Sequence, residues 1–597
     1  AFYQLSKIRN TKKESLRDLK ECYKNLGLSL DYMYSYKMQQ TTEEQKYFYS
    51  NFTSHKYPNF IKVCLELYNQ TGEELYRNEA FKYAELSKAS VLMAMLRSNE
   101  GSKIGLIPEN YKKTEDSISM AFNMLNHLNN GNSEIFIQTR TEELVKQREA
   151  LEYLYKTNYP DYFKLKFSHE VIQPKGLQKT LSNNECVLEY LLSKNFLILF
   201  YIDRNKMLIK TDTLKHIQLT SLADSVYKQV SVFDQASYKP ENIADFARKS
   251  YLLYNILIKP FQNEIGKKNI IIIADNALNK IPFEVLTTSI PKRFDNYRNL
   301  PYLIKQNSIY YAPSASFLAD VKQRPKISKH SRVLSLAPIH DDLILTDTLS
   351  RSLLAVRSDT SILNSLPNAN KEMLFAHKIA GGKVLSDRNA TETNFKNMAG
   401  KYEILHLATH GIADSTNSLL SKLLFTKVEN EPNDGLLHTY EIYNMKQSSQ
   451  LVVLSACNTG SGTTYGGEGV ISLARGFLSS GSRSVIMTLW SVNDQSSFEL
   501  IKGFYTNLKS GFNISEALSK SKVGYLQRAD NLHSHPYFWT GYIIYGDASI
   551  NLFLKNTHTR LVLLIIGGFA VVLLILKFNS IYSAIRKLFA YKRNVNR

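Results

Sequence analysis

The stretch LVVLSACNTG at residues 451–460 decides how this chain is interpreted. Its first six residues are apolar or small, which is typical of a short strand buried inside a sheet. Cys457 follows that strand directly, and Asn458, Thr459 and Gly460 come next. The chain has only four cysteines in 597 residues. A cysteine at such a place is most often a core residue, so its interpretation depends on what lies beside it.

A second apolar run, EILHLATHG at residues 403–411, ends on His410 and Gly411. If the two strands are parallel neighbours, His410 and Cys457 emerge together at the carboxyl edge of one sheet, where open α/β sheets bind ligands. A neighbouring imidazole lowers the pKa of a thiol and carries a proton to a leaving group. Gly411 has no side chain to cover its N–H, which predicts an oxyanion hole together with the N–H of Cys457. We interpret His406, earlier in the same strand, as a packing residue or a support for the site.

The apolar pattern changes along the chain and predicts two kinds of structure. Residues 1–165 repeat apolar positions at three- and four-residue steps with few Gly or Pro, which predicts an all-helical region. From residue 176 to 552, short apolar runs alternate with amphipathic stretches, which predicts an α/β domain with a buried sheet. This domain is expected to consist of a first α/β half at 176–320 and a second half at 330–552.

Within the helical region, residues 60–70 and 75–96 predict two helices that turn at residues 71–72. Ala80 and Ala84 lie one turn apart on the second helix, where small side chains let another helix approach closely. The pair resembles one tetratricopeptide repeat (TPR) unit. An ordinary helical bundle is the alternative.

The C-terminal segment combines an apolar run with a basic tail. LVLLIIGGFAVVLLIL at residues 561–576 has no polar side chain and predicts one transmembrane helix over 560–578. Residues 551–597 contain eight Lys or Arg and no Asp or Glu, in a chain of net charge +20. This concentration favours a membrane as partner over nucleic acid. The basic tail at 579–597 predicts that the large domains lie on the non-cytoplasmic side. A tail-anchored chain with cytoplasmic domains is the competing interpretation.

The spacing of cysteines and histidines argues against several other kinds of site. The cysteines form no C-x-x-C pair and no disulfide framework. The thirteen histidines show no metal-ligand spacing, and we expect neither a metal nor a cofactor. The glycine-rich GSGTTYGGEG at 460–469 lacks the G-K-[ST] of a phosphate loop, so we interpret it as a mobile loop that shapes the site.

HLATHG at 406–411 and LSACNTG at 454–460 together resemble the CHAT domain, a member of the caspase-like clan of cysteine peptidases. In the caspase signature a histidine precedes the cysteine by about 50 residues, and the separation here is 47. The resemblance covers about 176–552, and a TPR region ahead of the domain is the usual CHAT arrangement. Further similar elements are LNKIPFEVL (278–286), LPNANKE (366–372), GGEGVISLARGF (466–477), VIMTLWSVND (485–494) and HPYFWTGYIIYGD (535–547).

The resemblance implies a caspase-like α/β fold with a peptidase site. Cys457 is the expected nucleophile and His410 the expected base, and the N–H groups of Gly411 and Cys457 form the expected oxyanion hole. In separases a similar Trp-x-Val-x-Asp element supplies an acid to the substrate pocket. Asp494 matches that acid, so a basic substrate side chain is expected. The alternative for Asp494 is the N-cap of the helix that follows.

The expected function is that of a membrane-tethered cysteine endopeptidase that cleaves partner proteins. Its substrate is a protein or peptide, and an activating protein on the helical region is expected to gate it. The alternative is a non-catalytic TPR/CHAT scaffold that brings signalling proteins together.

Overall fold

The computed structural model describes residues 15–40, 42–127, 134–213, 216–234, 238–325, 331–338, 366–414, 417–429, 431–553 and 571–587. The chain divides after Leu552 into two compact units. The first contains the helical region and the α/β domain, and the second is the C-terminal segment.

The first unit begins with a run of helices, as expected for the N-terminal region. Gly72 ends the third of them with a φ of +71°, and Ala80 and Ala84 are fully buried in the fourth. The helices of this region are α1 (Leu16–Met38), α2 (Glu43–Ser54), α3 (Tyr57–Thr71), α4 (Glu74–Leu86), α5 (Ser90–Lys103), α6 (Glu109–His127), α7 (Glu134–Asn158) and α8 (Pro160–Lys166).

The helix expected over 75–96 is two helices, because the chain breaks between Leu86 and Ser90. Ala89 at the break has a φ of +48°, a left-handed conformation that ends regular helix geometry. Its N–H donates to the carbonyl oxygen of Gly467 at 2.8 Å. The start of α5 is therefore set by a contact with a segment almost 400 residues away, which no local pattern encodes.

The α/β domain is built on one eleven-stranded sheet, in the order β3-β2-β1-β4-β5-β16-β15-β12-β8-β6-β7. The two expected halves share this sheet, since β16 pairs with β5 in parallel at Tyr545 and Tyr311. Its strands are β1 (Glu185–Leu192), β2 (Leu197–Asp203), β3 (Met207–Asp212), β4 (Asn269–Ile273), β5 (Ile309–Tyr311), β6 (Val333–Ala337), β7 (Gly382–Ser386), β8 (Ile404–Ala408), β12 (Leu451–Ser455), β15 (Ser484–Thr488) and β16 (Tyr542–Gly546).

Strands β4, β6 and β8 are buried along their whole length, as expected for a sheet covered on both faces. Short strands form two further small sheets: β9 (Gly411–Ile412), β10 (Lys422–Leu424), β11 (Leu436–His438), β13 (Thr464–Tyr465) and β14 (Gly469–Val470). The remaining α-helices are α9 (Pro174–Thr180), α10 (His216–Ser231), α11 (Pro240–Leu257), α12 (Gln262–Ile265), α13 (Ala315–Gln323), α14 (Ala369–Ala380), α15 (Glu392–Ala399), α16 (Thr439–Asn444), α17 (Leu473–Ser479), α18 (Asp494–Lys509) and α19 (Ile514–Arg528).

In the second unit, residues 571–587 form a helix with exposed side chains. Most of the predicted membrane span at 560–578 lies outside the described residues, as does the end of the basic tail. Across the described parts of the chain, no helix combines the length and the apolar character needed to cross a membrane.

Candidate active site

The register of two neighbouring strands brings the predicted histidine and cysteine to one place. β8 and β12 are parallel neighbours, and Ala408 pairs with Ser455. The ladder continues one residue further, because the N–H of Thr409 donates to the carbonyl oxygen of Ser455 at 3.3 Å. His410 and Cys457 each lie two residues beyond the Ala408–Ser455 pair. They therefore leave the sheet side by side at its carboxyl edge.

The turn that carries Cys457 is held in an unusual backbone conformation. Asn458, the next residue, has a φ of +57°, a left-handed conformation that is uncommon outside glycine and that asparagine adopts more readily than most residues. Thr488 at the end of β15 holds this turn in place. Its hydroxyl donates to the carbonyl oxygen of Ala456 at 2.6 Å, and its N–H donates to the Thr459 hydroxyl at 3.0 Å. The turn is thus fixed to the neighbouring strand on both sides of the cysteine.

Gly411 packs directly against the turn that holds the cysteine. A Cβ atom at residue 411 would lie 2.7 Å from the carbonyl oxygen of Cys457, so a side chain has no room there. Gly411 pairs with Leu423 in β10, and the N–H of Leu424 donates to the carbonyl oxygen of His410. This makes Gly411 and Leu423 the antiparallel pair that exchanges no hydrogen bonds. The N–H of Gly411 is therefore directed away from β10.

A small pocket opens beside Cys457, and Asp494 lines it. Asp494 is the first residue of α18, while the N-cap is Asn493, whose side chain accepts from the N–H of Ser496. The N-cap interpretation of Asp494 is therefore wrong. Its carboxylate instead accepts from the side chain of Asn368 at 2.6 Å, which holds one oxygen in place within the pocket wall.

Two buried residues support this pocket from below. Glu372 lines it and is 2% exposed, and its Oε2 atom lies 3.7 Å from Nε2 of His406. His406 is fully buried in β8, and its Nδ1 atom lies 3.2 Å from the hydroxyl of Tyr505. His406 is thus a core residue beneath the site, while His410 lies at the edge.

The four cysteines are free thiols in different surroundings. Burial raises the pKa of Cys64 far above its ordinary value and that of Cys186 to about 12. Cys457 is partly exposed. Within the described residues, no group of three or more His, Cys, Asp or Glu side chains is placed to hold a metal ion.

Glu468 is a residue of this region that sequence reasoning missed. It lies in the hairpin β13–β14 downstream of Cys457, yet its side chain is fully buried against the helical region. Its Oε1 atom accepts from the Ser90 hydroxyl at 2.6 Å and from the N–H of Val91 at 3.1 Å. Its Oε2 atom accepts from Arg475 at 2.7 Å. A buried carboxylate at a helix N-terminus is stabilised by the free N–H groups there.

The surroundings of Glu468 favour its charged form, and we call its contacts with Ser90, Val91 and Arg475 the Glu468 clamp. Burial alone would raise its pKa, but Arg475 and Lys37 lower it below the ordinary value. The same hairpin makes further contacts with α2, where the N–H of Gly466 donates to Asn51 at 3.1 Å. The only sequence signal was an acid within a glycine-rich segment, which does not identify its distant partners.

The chain is thus an α/β protein in which a histidine and a cysteine follow the carboxyl ends of two adjacent parallel strands. A pocket lined by an acidic residue lies next to them. The particular family follows from a family model described as the CHAT domain, which matches residues 248–547. The match covers just over half of the chain, and the chain belongs to this family. Strands β1–β3 lie before the matched residues although they belong to the same sheet.

The chain is also similar to individual proteins and structures. It is 24% identical over 360 residues to human tetratricopeptide repeat protein 28, covering 53% of this chain and 14% of that protein. For the mouse protein of the same name the values are 21% over 344 residues, 50% and 13%. The chain therefore spans about a seventh of the length of these relatives.

The chain is also similar to two solved structures. The Saccharomyces cerevisiae separase–securin complex matches with a TM-score of 0.47 and 12% identity, covering 90% of this chain and 37% of that chain. The Arg specific cysteine proteinase gingipain R matches with a TM-score of 0.32 and 10% identity, covering 56% and 74%.

Proposed function

We propose that the chain is a cysteine endopeptidase that cleaves partner proteins, with Cys457 as nucleophile and His410 as base. The observation that carries this proposal is the shared register of the two residues at one edge of the sheet. The left-handed turn after Cys457 and the adjacent pocket support it, because unusual backbone conformations and concave surfaces cluster at functional sites.

In the proposed reaction, His410 takes the proton of the Cys457 thiol, and the sulfur of Cys457 bonds to the carbon of the scissile carbonyl. The N–H groups of Gly411 and Cys457 stabilise the oxyanion that forms. The C–N bond then breaks while His410 gives the proton to the leaving amine, and an acyl-thioester remains. Water adds to this thioester with His410 as base, the C–S bond breaks, and the carboxylic acid and the thiol are released.

Asp494 is proposed to select a basic side chain before the cleaved bond. Its carboxylate lines the pocket beside the nucleophile, and a negative charge there attracts Lys or Arg. Cleavage of otherwise identical peptides with Arg or Gln at this position tests the idea. Asp494→Asn should reduce the preference for Arg by about tenfold or more, which corresponds to about 1.4 kcal/mol. Glu499→Gln on the same helix is the control, and an unchanged preference in Asp494→Asn would exclude the role.

The helical region is proposed to be TPR-like and to hold the peptidase inactive until a partner protein binds to it. The support is the Glu468 clamp, which joins the hairpin that follows the nucleophile to the N-terminus of α5. Movement of α5 on partner binding would release the hairpin. The word tetratricopeptide in the name of the relatives is consistent with a partner-binding role.

Point variants test this gate without deleting the helical region. Ser90→Ala removes the 2.6 Å hydrogen bond to Glu468 and should raise cleavage in the absence of a partner. Ser102→Ala, near the other end of α5, is the matched control. A chain starting near residue 166 should likewise cleave without a partner. Equal activity with and without residues 1–165 would contradict gating.

The chain is further proposed to be tethered to a membrane through 560–578, with the catalytic domain on the non-cytoplasmic side. The support is the apolar run and the basic residues that follow it. Carbonate extraction of membranes tests the tether, since release of the full chain would contradict it. Protease protection of the large domains in sealed vesicles tests the orientation.

The second candidate function is a non-catalytic scaffold, which the similarity to tetratricopeptide repeat protein 28 favours. Labelling with a peptidyl acyloxymethyl ketone library separates the two. A peptidase should be labelled at Cys457, and labelling should be lost in Cys457→Ala and His410→Ala but kept in Cys22→Ala. If the Ser90→Ala chain also resists labelling, the scaffold is the better description.

A further inference from the structure

A second cavity, between the helical region and the α/β domain, shares no lining residue with the pocket of Cys457. Helices α2, α5, α6, α7 and α8 form most of its wall, and Tyr440, Tyr443 and Asn444 of α16 complete it. Its charged lining consists of four cations and three carboxylates: Lys46, Lys112, Arg148, Lys166, Glu43, Glu115 and Asp116.

Two of the four cations already have anionic partners at close range. Lys166 forms an ion pair and hydrogen bond with Glu115. Lys112 donates to Asp116 at 2.5 Å. Within each pair the two charges cancel, so the net charge of the cavity depends on the remaining side chains.

Arg148 is buried without a good partner. It is 4% exposed, and its nearest carboxylates are Glu43 at 3.7 Å and Glu152 at 3.8 Å, both beyond normal hydrogen-bond length. Its Nη1 atom has no hydrogen-bond acceptor among the described residues. A buried guanidinium without its hydrogen bonds is unfavourable, so an additional acceptor is expected in the cavity.

Lys46 lies among the same charged side chains. It is 5% exposed, and burial together with the nearby Arg148 and Lys166 lowers its pKa to about 8 although Glu43 and Glu152 oppose this. Burial would raise the pKa of Glu43, but Arg148 and Lys46 lower it overall, so this carboxylate is ionised. Among the residues that line the cavity, Glu43 is the carboxylate that faces these two cations, while Glu152 approaches Arg148 to 3.8 Å from outside the lining.

We infer that this cavity binds a small anion that carries a phosphate group, held by Arg148 and Lys46. Arginine matches the geometry of phosphate oxygens with two parallel N–H donors, and lysine adds a point charge. The anion would bridge α2 and α7, which bear these two residues, beside the wall formed by α16. This site is independent of the peptidase proposal, because neither cation contacts the pocket of Cys457.

Thermal unfolding and titration calorimetry of the purified full chain test this site. Inorganic phosphate, glycerol phosphate, acetate and chloride are compared at equal ionic strength. Inorganic phosphate should bind at a ratio of one per chain and raise Tm by several degrees, while acetate and chloride should not. Stronger binding of glycerol phosphate would identify a phosphorylated metabolite as the source of the group, and weaker binding would identify free phosphate.

Matched variants separate a site from a general salt effect. Lys46→Met and Arg148→Met should lose the phosphate-induced shift, and the exposed Lys113→Met on α6 should keep it. An equal shift in all variants, or no binding to the wild-type chain, would overturn the inference. If Arg148→Met does not fold, Lys46→Met decides alone, because removing a buried cation also removes its desolvation cost from the folded state.

Discussion

Two cysteines of the α/β domain, Cys186 and Cys457, have opposite surroundings. Cys186 is the second residue of β1 and is flanked on both sides, by Asp203 of β2 and Ile270 of β4. It is fully buried, and burial raises its pKa to about 12. Cys457 lies two residues past the end of β12 and is partly exposed. The position of a thiol relative to the end of its strand thus separates a core residue from a candidate nucleophile.

The same comparison holds for two histidines of one segment. His406 is fully buried within β8 and contacts Tyr505, while His410 follows the strand and is half-buried. Four residues separate an inner packing position from the edge of the sheet. In both pairs, the position relative to the end of the strand, and not the residue type, decides whether the side chain is buried in the core or partly exposed at the edge of the sheet.

The largest expected effect is on peptide cleavage by cysteine variants. Cys457→Ala should reduce the rate on the order of 10⁴-fold, because the proposed nucleophile is lost. Cys186→Ala should leave the rate within about twofold and lower the stability by about 1 kcal/mol, since it only removes a buried sulfur. Cleavage assays and chemical unfolding measure the two effects. Equal loss of activity in both variants would break the comparison.

Alkylation provides the next contrast, through the pH dependence of thiol reactivity. Only the thiolate reacts, so a raised pKa slows alkylation at neutral pH. With a pKa of about 12, Cys186 should remain unmodified by iodoacetamide at pH 8 in the native chain. It should react after addition of denaturant, when its pKa returns toward the ordinary value. Mass spectrometry of the peptides is the measurement, and native modification of Cys186 as fast as Cys457 would contradict the burial argument.

Gly411→Ala tests how closely the edge is packed. The added Cβ atom would approach the carbonyl oxygen of Cys457 to 2.7 Å, so the backbone that carries the proposed oxyanion donor must shift. We expect cleavage to fall by about 10²-fold, the effect of losing one oxyanion donor. Gly524→Ala in α19, whose Cβ would meet only the flexible end of Arg528, is the control. Wild-type rates for Gly411→Ala would show that this amide has no such role.

The alternation of apolar runs was enough to predict an α/β domain, and the strand ends at His410 and Cys457 were visible because each precedes a polar or glycine residue. That β8 and β12 are parallel neighbours was only assumed in the sequence analysis. Their observed register follows from packing along the whole sheet. The helical region was also predictable, because its apolar positions repeat at helical spacing.

The two features that were predicted wrongly, the break at Ala89 and the N-cap at Asp494, have different causes. The break at Ala89 forms because the hairpin around Glu468 supplies acceptors for the start of α5. The N-cap interpretation of Asp494 failed by one residue, because Asn493 is an equally good capping side chain. Local sequence does not distinguish two adjacent capping residues, nor does it identify a partner that folds in from elsewhere.

The smallest expected effect concerns the hydrogen bonds that hold the turn at Cys457, and not the reactive groups of the site. Thr488→Val keeps the shape of the side chain but removes the hydroxyl that donates to the carbonyl oxygen of Ala456. A buried acceptor left without its donor lowers the free energy of unfolding by about 1–3 kcal/mol. The turn that carries Cys457 should also become more mobile. We expect labelling of Cys457 to slow by about tenfold, which corresponds to about 1.4 kcal/mol. Thr506→Val, an exposed threonine of α18, should change neither stability nor labelling. If Thr488→Val loses stability but labels at the wild-type rate, the turn is fixed by the sheet edge itself, and the contrast between Cys186 and Cys457 depends on exposure alone.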